Sequence, residues 1–377
     1  MIAAHVGDLH LTDRGGDSRA TLEEQVELLT WIGKDAASAE AEVMLVAGDV
    51  FDAASSPRER RAAADVLTAW GELMPVVTVR GNHDSLLDLD ILGRLRSKFP
   101  IRVFEEPGSV RLDGLLVACI PWPQKAWLAA RMLGANGPEL NATAAQAMRA
   151  ILQGLALQFQ AATVPAVLLA HLELGATLTD SGQPMAGRCD IELSEADVLA
   201  TGADYVALGH IHKPQTIGDR IRYAGAPRQT NFGEEGGKGY SLVTLERGKA
   251  PVIEHRPVPS RQLVTITGKW ADGAFSAEGE GSPRGKAVRL TYEVDEAQRV
   301  QVSAAAAETR EALLAGGAHS VTLDPRMTPA SRVRCEAIRT ARTTAEKLNA
   351  YWTAQGHKPD RAEAITEKLG QLEAEVV

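Results

Sequence analysis

Asp8, His10, Asp49, Asn82, His171, His210 and His212 have the types and spacings of residues that hold divalent cations. Carboxylate, amide oxygen and imidazole together suit metals of intermediate hardness, favouring Mn, Fe or Zn over Ca or Mg. No thiolate is among them, which argues against a closed structural zinc site. D-x-H and H-x-H suit strands, because residues two apart point to the same side. Gly7, Gly48, Gly81 and Gly209 let the backbone turn sharply beneath a crowded ion pair. Two cations held side by side can clamp a phosphoryl group and stabilise charge on its attacking and leaving oxygens. A lone D-x-H or H-x-H is more often ordinary packing than a ligand. The ordered set D-x-H, GD-x-x-D, GNHD, H and GH-x-H, each after an apolar run, carries the argument.

His83, inside GNHD, can gain or lose a proton near neutral pH and is the candidate general acid; the competing role is to orient Asn82 or Asp84. Asp84 is read as a turn cap or as an acceptor for an imidazole N–H. Asp52 lies close in sequence to Asp49 but need not bind metal. His5 is read as a packed core residue, and His255, His319 and His357 as structural or solvated.

Such tips need rigid strands beneath them. Residues 2–7, 43–47 and 75–80 are Val-, Ile- and Leu-rich runs leading into GDLH, GDVFD and GNHD. A helix from about Ser18 to Ala39 is predicted by Leu22, Val26, Leu29 and Ile32, which share one face. Ser56, Pro57 and Glu59 mark the capped start of a second helix. Strands alternating with helices predict parallel strands, with polar residues at their ends as the site. Residues 115–120 and 165–170 read as further buried strands around a helix near 140–161, and 204–208 as another, ending in GHIH. Segments near 220–224, 240–246 and 251–257 read as antiparallel strands closing a second sheet. The predicted fold is therefore α/β, a two-sheet sandwich flanked by helices over residues 1–258.

Pro257, Pro259 and Ser260 suggest a linker. Beyond it, residues 259–328 read as a small α+β domain: strands at 262–268, 287–294 and 319–323, a helix at 297–315, and an exposed loop at 275–285. Residues 329–377 read as helical. Ile338, Ala341, Ala345, Leu348 and Trp352 form one stripe, Gly356 and Pro359 a break, and Ile365, Leu369, Leu372 and Val376 a second stripe.

At 377 residues the chain is long enough for two or three domains. The three cysteines, Cys119, Cys189 and Cys335, are sparse and widely spaced, as expected of reduced thiols in cytoplasm. No basic, apolar leader opens the sequence, and no run approaches the roughly 20 apolar residues of a membrane span. The formal net charge of −9 argues mildly against an isolated nucleic-acid-binding module.

The strand-end set resembles the calcineurin-type metallophosphoesterase family. By that resemblance Asp8, His10, Asp49 and His212 hold one metal. Asp49 bridges to a second, held also by Asn82, His171 and His210, and His83 binds a substrate phosphate oxygen and assists the leaving oxygen. More of the chain resembles the family of SbcD-type nuclease subunits: GNHDS, HLELGATL, GHIHKPQ, YAGAP, TNFGEEGGKGYSLV and PSRQLVTI. That likeness implies a Mn2+-dependent 3′–5′ double-strand exonuclease and single-strand endonuclease acting in DNA end repair. It also implies an SbcC-type coiled-coil ATPase as partner and a homodimer within a heterotetramer. The small domain then corresponds to a DNA-positioning capping domain, and the last helices to a partner-binding segment. The helices could equally pack on each other or on the body of the chain. Other members tend to carry His where this chain has Asp52, which puts any DNA-opening role of that position in doubt.

Lys213 and Arg228 are candidates for DNA phosphate contact, with solvated surface cations as the equal alternative. Two other functions compete with the nuclease. A small-molecule phosphodiesterase, such as a cyclic-nucleotide hydrolase, would end soon after its closing strands. A non-enzymatic scaffold would show eroded ligands, and here the whole set is intact.

Overall fold

Short apolar strands with polar tips build two six-stranded sheets, packed face to face. The computed structural model of the chain describes residues 1–14, 20–124, 139–175, 193–234, 236–279, 282–295, 298–327 and 343–354, with single positions 128, 191, 340, 341, 365 and 368. In the first sheet β1 (Ile2–Val6), β2 (Val43–Val46), β3 (Val76–Val79) and β4 (Ile101–Phe104) run parallel. In the second, β6 (Leu115–Ile120), β7 (Ala166–His171), β8 (Tyr205–Gly209) and β10 (Ile221–Tyr223) run parallel. The short strands β5 (Gly108–Leu112) and β9 (Gln215–Ile217) close its two edges antiparallel.

Leu45, Val77, Val117, Leu169 and Tyr205 fill the layer between the sheets. Helices α1 (Leu22–Ser38) and α2 (Pro57–Gly71) cover the outer face of the first sheet through Leu29, Ile32, Val66 and Trp70. Helix α3 (Glu139–Gln160) covers the second through Met148, Leu152 and Phe159. Central strands buried on both faces explain why their sequences are continuous apolar runs rather than alternating ones.

The helix starts follow local chemistry. Ser56 and Glu59 form the predicted capping box, with Pro57 at the first helical position. The first helix begins at Leu22, later than expected, because Thr21 and Glu24 form an equivalent capping box. The two helices lie close because position 33 has no side chain: a Cβ on Gly33 would sit 2.2 Å from the Trp70 ring. Trp70 Nε1 donates to Leu29 O at 2.8 Å across the same contact.

Two expectations are corrected. Strands β11 (Gly239–Thr244) and β12 (Val252–Pro257) form an antiparallel hairpin, but they extend the first sheet beside β1 instead of closing the second. Alternation along a hairpin reveals a half-buried surface without saying which sheet edge it meets. Likewise β10 pairs parallel to β8, not antiparallel.

The second correction lies in residues 275–285. Ala274–Glu278 is a strand, β14, paired antiparallel with β13 (Leu263–Ala271). Asp272 and Gly273 have φ of 52° and 76°, the positive pair of a two-residue hairpin turn. The D-G dipeptide carried that signal, and the Gly- and Pro-rich residues after it obscured it. β13 and β14 join β15 (Ala287–Val294) and β16 (Ser320–Met327) in a third sheet, backed by a helix at Arg299–Ala315.

A further helix spans Thr344–Ala354. Most of the second C-terminal stripe, with Ile338, Gly356, Pro359 and His357, lies outside the described residues, as do Cys189 and Cys335. Cys119 is buried in β6. Among the described residues no helix is long and apolar enough to cross a membrane.

Candidate metal centre

The tips of β1, β2 and β3 in one sheet and β7 and β8 in the other open at the same end of the sandwich. Two bonds lock the sheets together there. His210 N donates to Asp8 Oδ1 at 2.8 Å, and His171 Nδ1 donates to Ala47 O at 2.7 Å. Close approach needs glycine at this crossing: a Cβ on Gly209 would lie 2.0 Å from Ala47 O.

All seven predicted residues meet at this end. Ligand atoms of Asp8, His10 and His212 lie within 4.8 Å of one another, and so do those of Asp8, Asp49 and His171. Asn82 Oδ1 joins them, 2.9 Å from His171 Nε2 and 3.0 Å from His210 Nδ1. Asp49 Oδ2 lies between the two groups, 3.7 Å from His10 Nε2 and 3.4 Å from His171 Nε2. Asp8, His10, Asp49 and His210 have φ of 55°, 46°, 50° and 95°, in the left-handed region that side chains rarely enter. Such strain persists only where surrounding structure imposes it, and it concentrates at functional sites.

The donor set fits cations on geometry alone. Because the Nδ1–H of His171 goes to Ala47 O, its neutral ring aims the Nε2 lone pair at the oxygens of Asn82 and Asp49. His10 Nε2 and His212 Nε2 face each other at 2.9 Å. Asp8 Oδ2 is fully buried without a hydrogen-bond partner. Converging lone pairs in a buried pocket repel unless positive charge lies between them. On the bare chain a proton supplies some of it. Burial opposes charge on His171, but the Asp49 carboxylate outweighs burial and pushes its pKa up to about 9. A divalent cation competes for the same lone pairs.

The surrounding residues set ring orientation. His212 Nδ1 donates to Glu234 Oε1 at 3.0 Å, which leaves Nε2 facing the cluster. Burial disfavours the Glu234 carboxylate, yet the bonds from His212 and Lys238 outweigh it and hold its pKa down at about 2. His210 Nε2 lies 3.6 Å from Glu173 Oε2, and the Trp122 ring lies against His210 with centroids 4.9 Å apart. The sequence reading missed all three. Glu173 was legible as H-x-E, two residues past His171, which ends β7. Glu234 and Trp122 sit on loops with no spacing tie to the motifs.

His83 is exposed at the rim. Its backbone N donates to Asp49 Oδ1 at 2.9 Å and its Nδ1 to Asp52 O at 2.7 Å, so Nε2 is the atom free to exchange a proton. Asp52 Oδ1 also faces His10 Nδ1 at 3.3 Å. Asp84 is buried and orders backbone rather than an imidazole: it accepts from Phe51 N at 2.9 Å, Gly81 N at 2.8 Å and Val50 N at 3.3 Å. Burial, with Asp49 nearby, pushes its pKa up to about 6. His5 is a core residue as expected.

The two candidate phosphate contacts separate. Lys213 is half-buried beside His212. Arg228 is buried, 5 % exposed, with Nη2 donating to His10 O at 2.6 Å and Gln25 Oε1 at 3.1 Å. That placement makes Arg228 a brace beneath the His10 loop, not a surface cation, because the side chain is buried and its Nη2 is directed inward.

The calcineurin-like phosphoesterase family matches residues 1–214. The SbcD subunit of the SbcCD nuclease of Escherichia coli (strain K12) is 29% identical over 292 residues, covering 71% of this chain and 70% of that protein. The corresponding SbcCD nuclease subunit of Rhodobacter capsulatus is 30% identical over 295 residues, covering 70% of this chain and 71% of that protein. Among solved structures, TT1561 of Thermus thermophilus is 16% identical with a TM-score of 0.40, covering 67% of this chain and 98% of that one.

Proposed function

The chain belongs to the calcineurin-like phosphoesterase family, as an SbcD-type member, and on that premise we propose that it is a metal-dependent DNA nuclease. The reaction is hydrolysis of DNA phosphodiesters, as a 3′–5′ exonuclease on duplex ends and an endonuclease on single strands, in DNA end repair. The observation that carries this is the convergence of Asp8, Asp49, Asn82 and four imidazoles, with Asp49 Oδ2 between the two groups of ligand atoms.

Asp8, His10, Asp49 and His212 would hold one ion, and Asp49, Asn82, His171 and His210 the other, most simply as Mn2+. When bound, the two ions supply a clamp for the phosphoryl group and charge stabilisation for the attacking and leaving oxygens. The chain's own residues do the rest. Glu234 fixes the His212 ring, Ala47 O fixes His171, and Asp84 ties the Asp49 loop to the Asn82 loop through backbone amides. His83, anchored at Nδ1, presents Nε2 to protonate the departing oxygen.

The domain assignment follows the same reading. Residues 1–258 are the nuclease domain, 259–328 the capping domain that positions DNA, and 329–377 the segment that docks on an SbcC-type coiled-coil ATPase. The working unit is a homodimer of this chain within a heterotetramer, in the cytoplasm. The two relatives, each a subunit of an SbcCD nuclease, support the partner and the substrate.

The test is cleavage of end-labelled duplex DNA with Mn2+, with and without the ATPase. Shortening from the 3′ end is expected, lost in His83→Ala and Asp49→Ala. Rapid hydrolysis of a simple phosphodiester with no DNA cleavage under any condition would keep the hydrolytic site and reject the DNA substrate.

A further inference from the structure

Behind the GHIH loop, at the edge of the sandwich, lies a cavity of about 270 Å³ lined by Lys213, Arg222, Lys238 and His255, with Gly236 and Gly237 among its remaining lining residues. We propose that this cavity is an oxyanion site that takes a phosphate group, separate from the metal cluster.

The lining is one-sided in charge. Lys213, Arg222 and Lys238 reach it from different parts of the chain, Lys238 with its charge met by Glu234, and no carboxylate is among its described lining residues. Arg222 carries the argument. It sits in β10 and is only 8 % exposed. Its Nε donates to Ser241 Oγ at 3.1 Å, its Nη1 to Thr216 Oγ1 at 3.0 Å, and its Nη2 to His255 Nδ1 at 3.4 Å. These three partners are neutral groups. A guanidinium stays charged under all ordinary conditions, and a buried charge normally faces an opposite one. Here the counter-charge has a place to come from, the cavity that Arg222 lines.

The other walls suit an anion. His255 Nε2 donates to Gly237 O at 2.8 Å, so its Nδ1 is the acceptor that orients the Arg222 fork. Lys238 Nζ spans 2.8 Å to Glu234 Oε2 and 2.9 Å to His212 O, which ties this wall to the candidate metal centre. At the lip, a Cβ on Gly236 or Gly237 would meet nothing within 4 Å, so the backbone there is open to an approaching group. A tetrahedral oxyanion matches an Arg fork with two parallel acceptors better than a halide does.

The phosphate could belong to a DNA strand running past the metal centre or to a free phosphate. The site itself stands apart from the nuclease reading, and only the DNA source rests on it.

The full-length chain, kept in chelator to silence the metal cluster, is melted across a series of inorganic phosphate concentrations at constant ionic strength set with chloride. A saturable rise in Tm is expected for the wild type. Arg222→Gln should weaken the apparent phosphate affinity about ten- to a hundredfold, the size of a lost charged hydrogen bond. Lys213→Gln, at the half-buried rim, should weaken it in the same direction and carries the test if the buried variant does not fold. No rise in the wild type, or the same rise in all three proteins, overturns the proposal.

A labelled single strand then separates the sources by anisotropy in chelator. If Arg222→Gln lowers the slope of log affinity against log salt by about one, the phosphate is a DNA backbone group. If the slope is unchanged while phosphate stabilisation is lost, the ligand is a free phosphate. Either outcome keeps the site.

Discussion

His212 gives its Nδ1–H to Glu234 across 3.0 Å, and Glu234 is at the same time held by Lys238 at 2.8 Å and Asn231 Nδ2 at 2.8 Å. One buried carboxylate thereby fixes the tautomer and the angle of a candidate metal ligand. Carboxylates placed this way raise ligand basicity as well as orient it. Glu234→Gln is expected to weaken Mn2+ binding about ten- to a hundredfold with the fold retained. Titration calorimetry checks this, and an unchanged dissociation constant would show that Glu234 has no part in tuning His212.

His83 is held at both ends, through its backbone N to Asp49 and its Nδ1 to Asp52 O. The free Nε2 is the proposed proton donor. His83→Asn should lower kcat by about 10²–10⁴-fold, the usual contribution of a positioned acid, while Mn2+ stoichiometry stays the same. A loss of metal equal to the loss of rate would instead make His83 a ligand.

His5 is buried, bonded at Nδ1 to Tyr205 Oη at 2.7 Å, with Nε2 unpaired. Burial, reinforced by the nearby Arg222 charge, pulls its pKa from 6.5 down to about 3. The unfolded chain therefore takes up a proton that the folded chain refuses. The sign follows: this contribution to stability is complete above pH 6.5 and is lost as pH falls toward 3. The loss is about 1.4 kcal/mol per pH unit within that window. Denaturant unfolding of the wild type and His5→Asn between pH 7 and 4 isolates it, since every other group is shared. Parallel curves would mean that His5 titrates alike in both states.

Arg228 braces the His10 loop from below. Arg228→Met should lower stability by about 1–3 kcal/mol, because His10 O and Gln25 lose a charged donor. It should leave the salt dependence of DNA binding unaltered. A reduced salt slope would return Arg228 to the role of a phosphate contact.

The candidate ligand set was legible because metal chemistry restricts residue types and strand geometry restricts spacing. D-x-H, GNHD and GH-x-H each combine the two, and the seven residues do meet. What failed to show had no local signature. Glu234 reaches His212 from a Gly-rich loop 22 residues on, a distance in sequence that no periodicity encodes. Arg228 looked like a surface cation because a sequence cannot say which way a loop turns its side chain. The β11–β12 hairpin was visible as a hairpin, but its partner β1 lies more than 200 residues earlier, and alternation does not choose between free edges. Where the local signal did exist, in Asp272–Gly273, neighbouring glycines and prolines masked it.

The proposed hydrolysis requires that these side chains hold a pair of metal ions with Asp49 between them. The most direct measurement is the number of Mn2+ ions bound per chain, by calorimetry and elemental analysis, in the wild type and Asp49→Ala. Two ions are expected in the wild type, with at least one lost and phosphodiester hydrolysis abolished in the variant. Hydrolysis that persists in Asp49→Ala, or a wild type that is active with fewer than two ions, would contradict it.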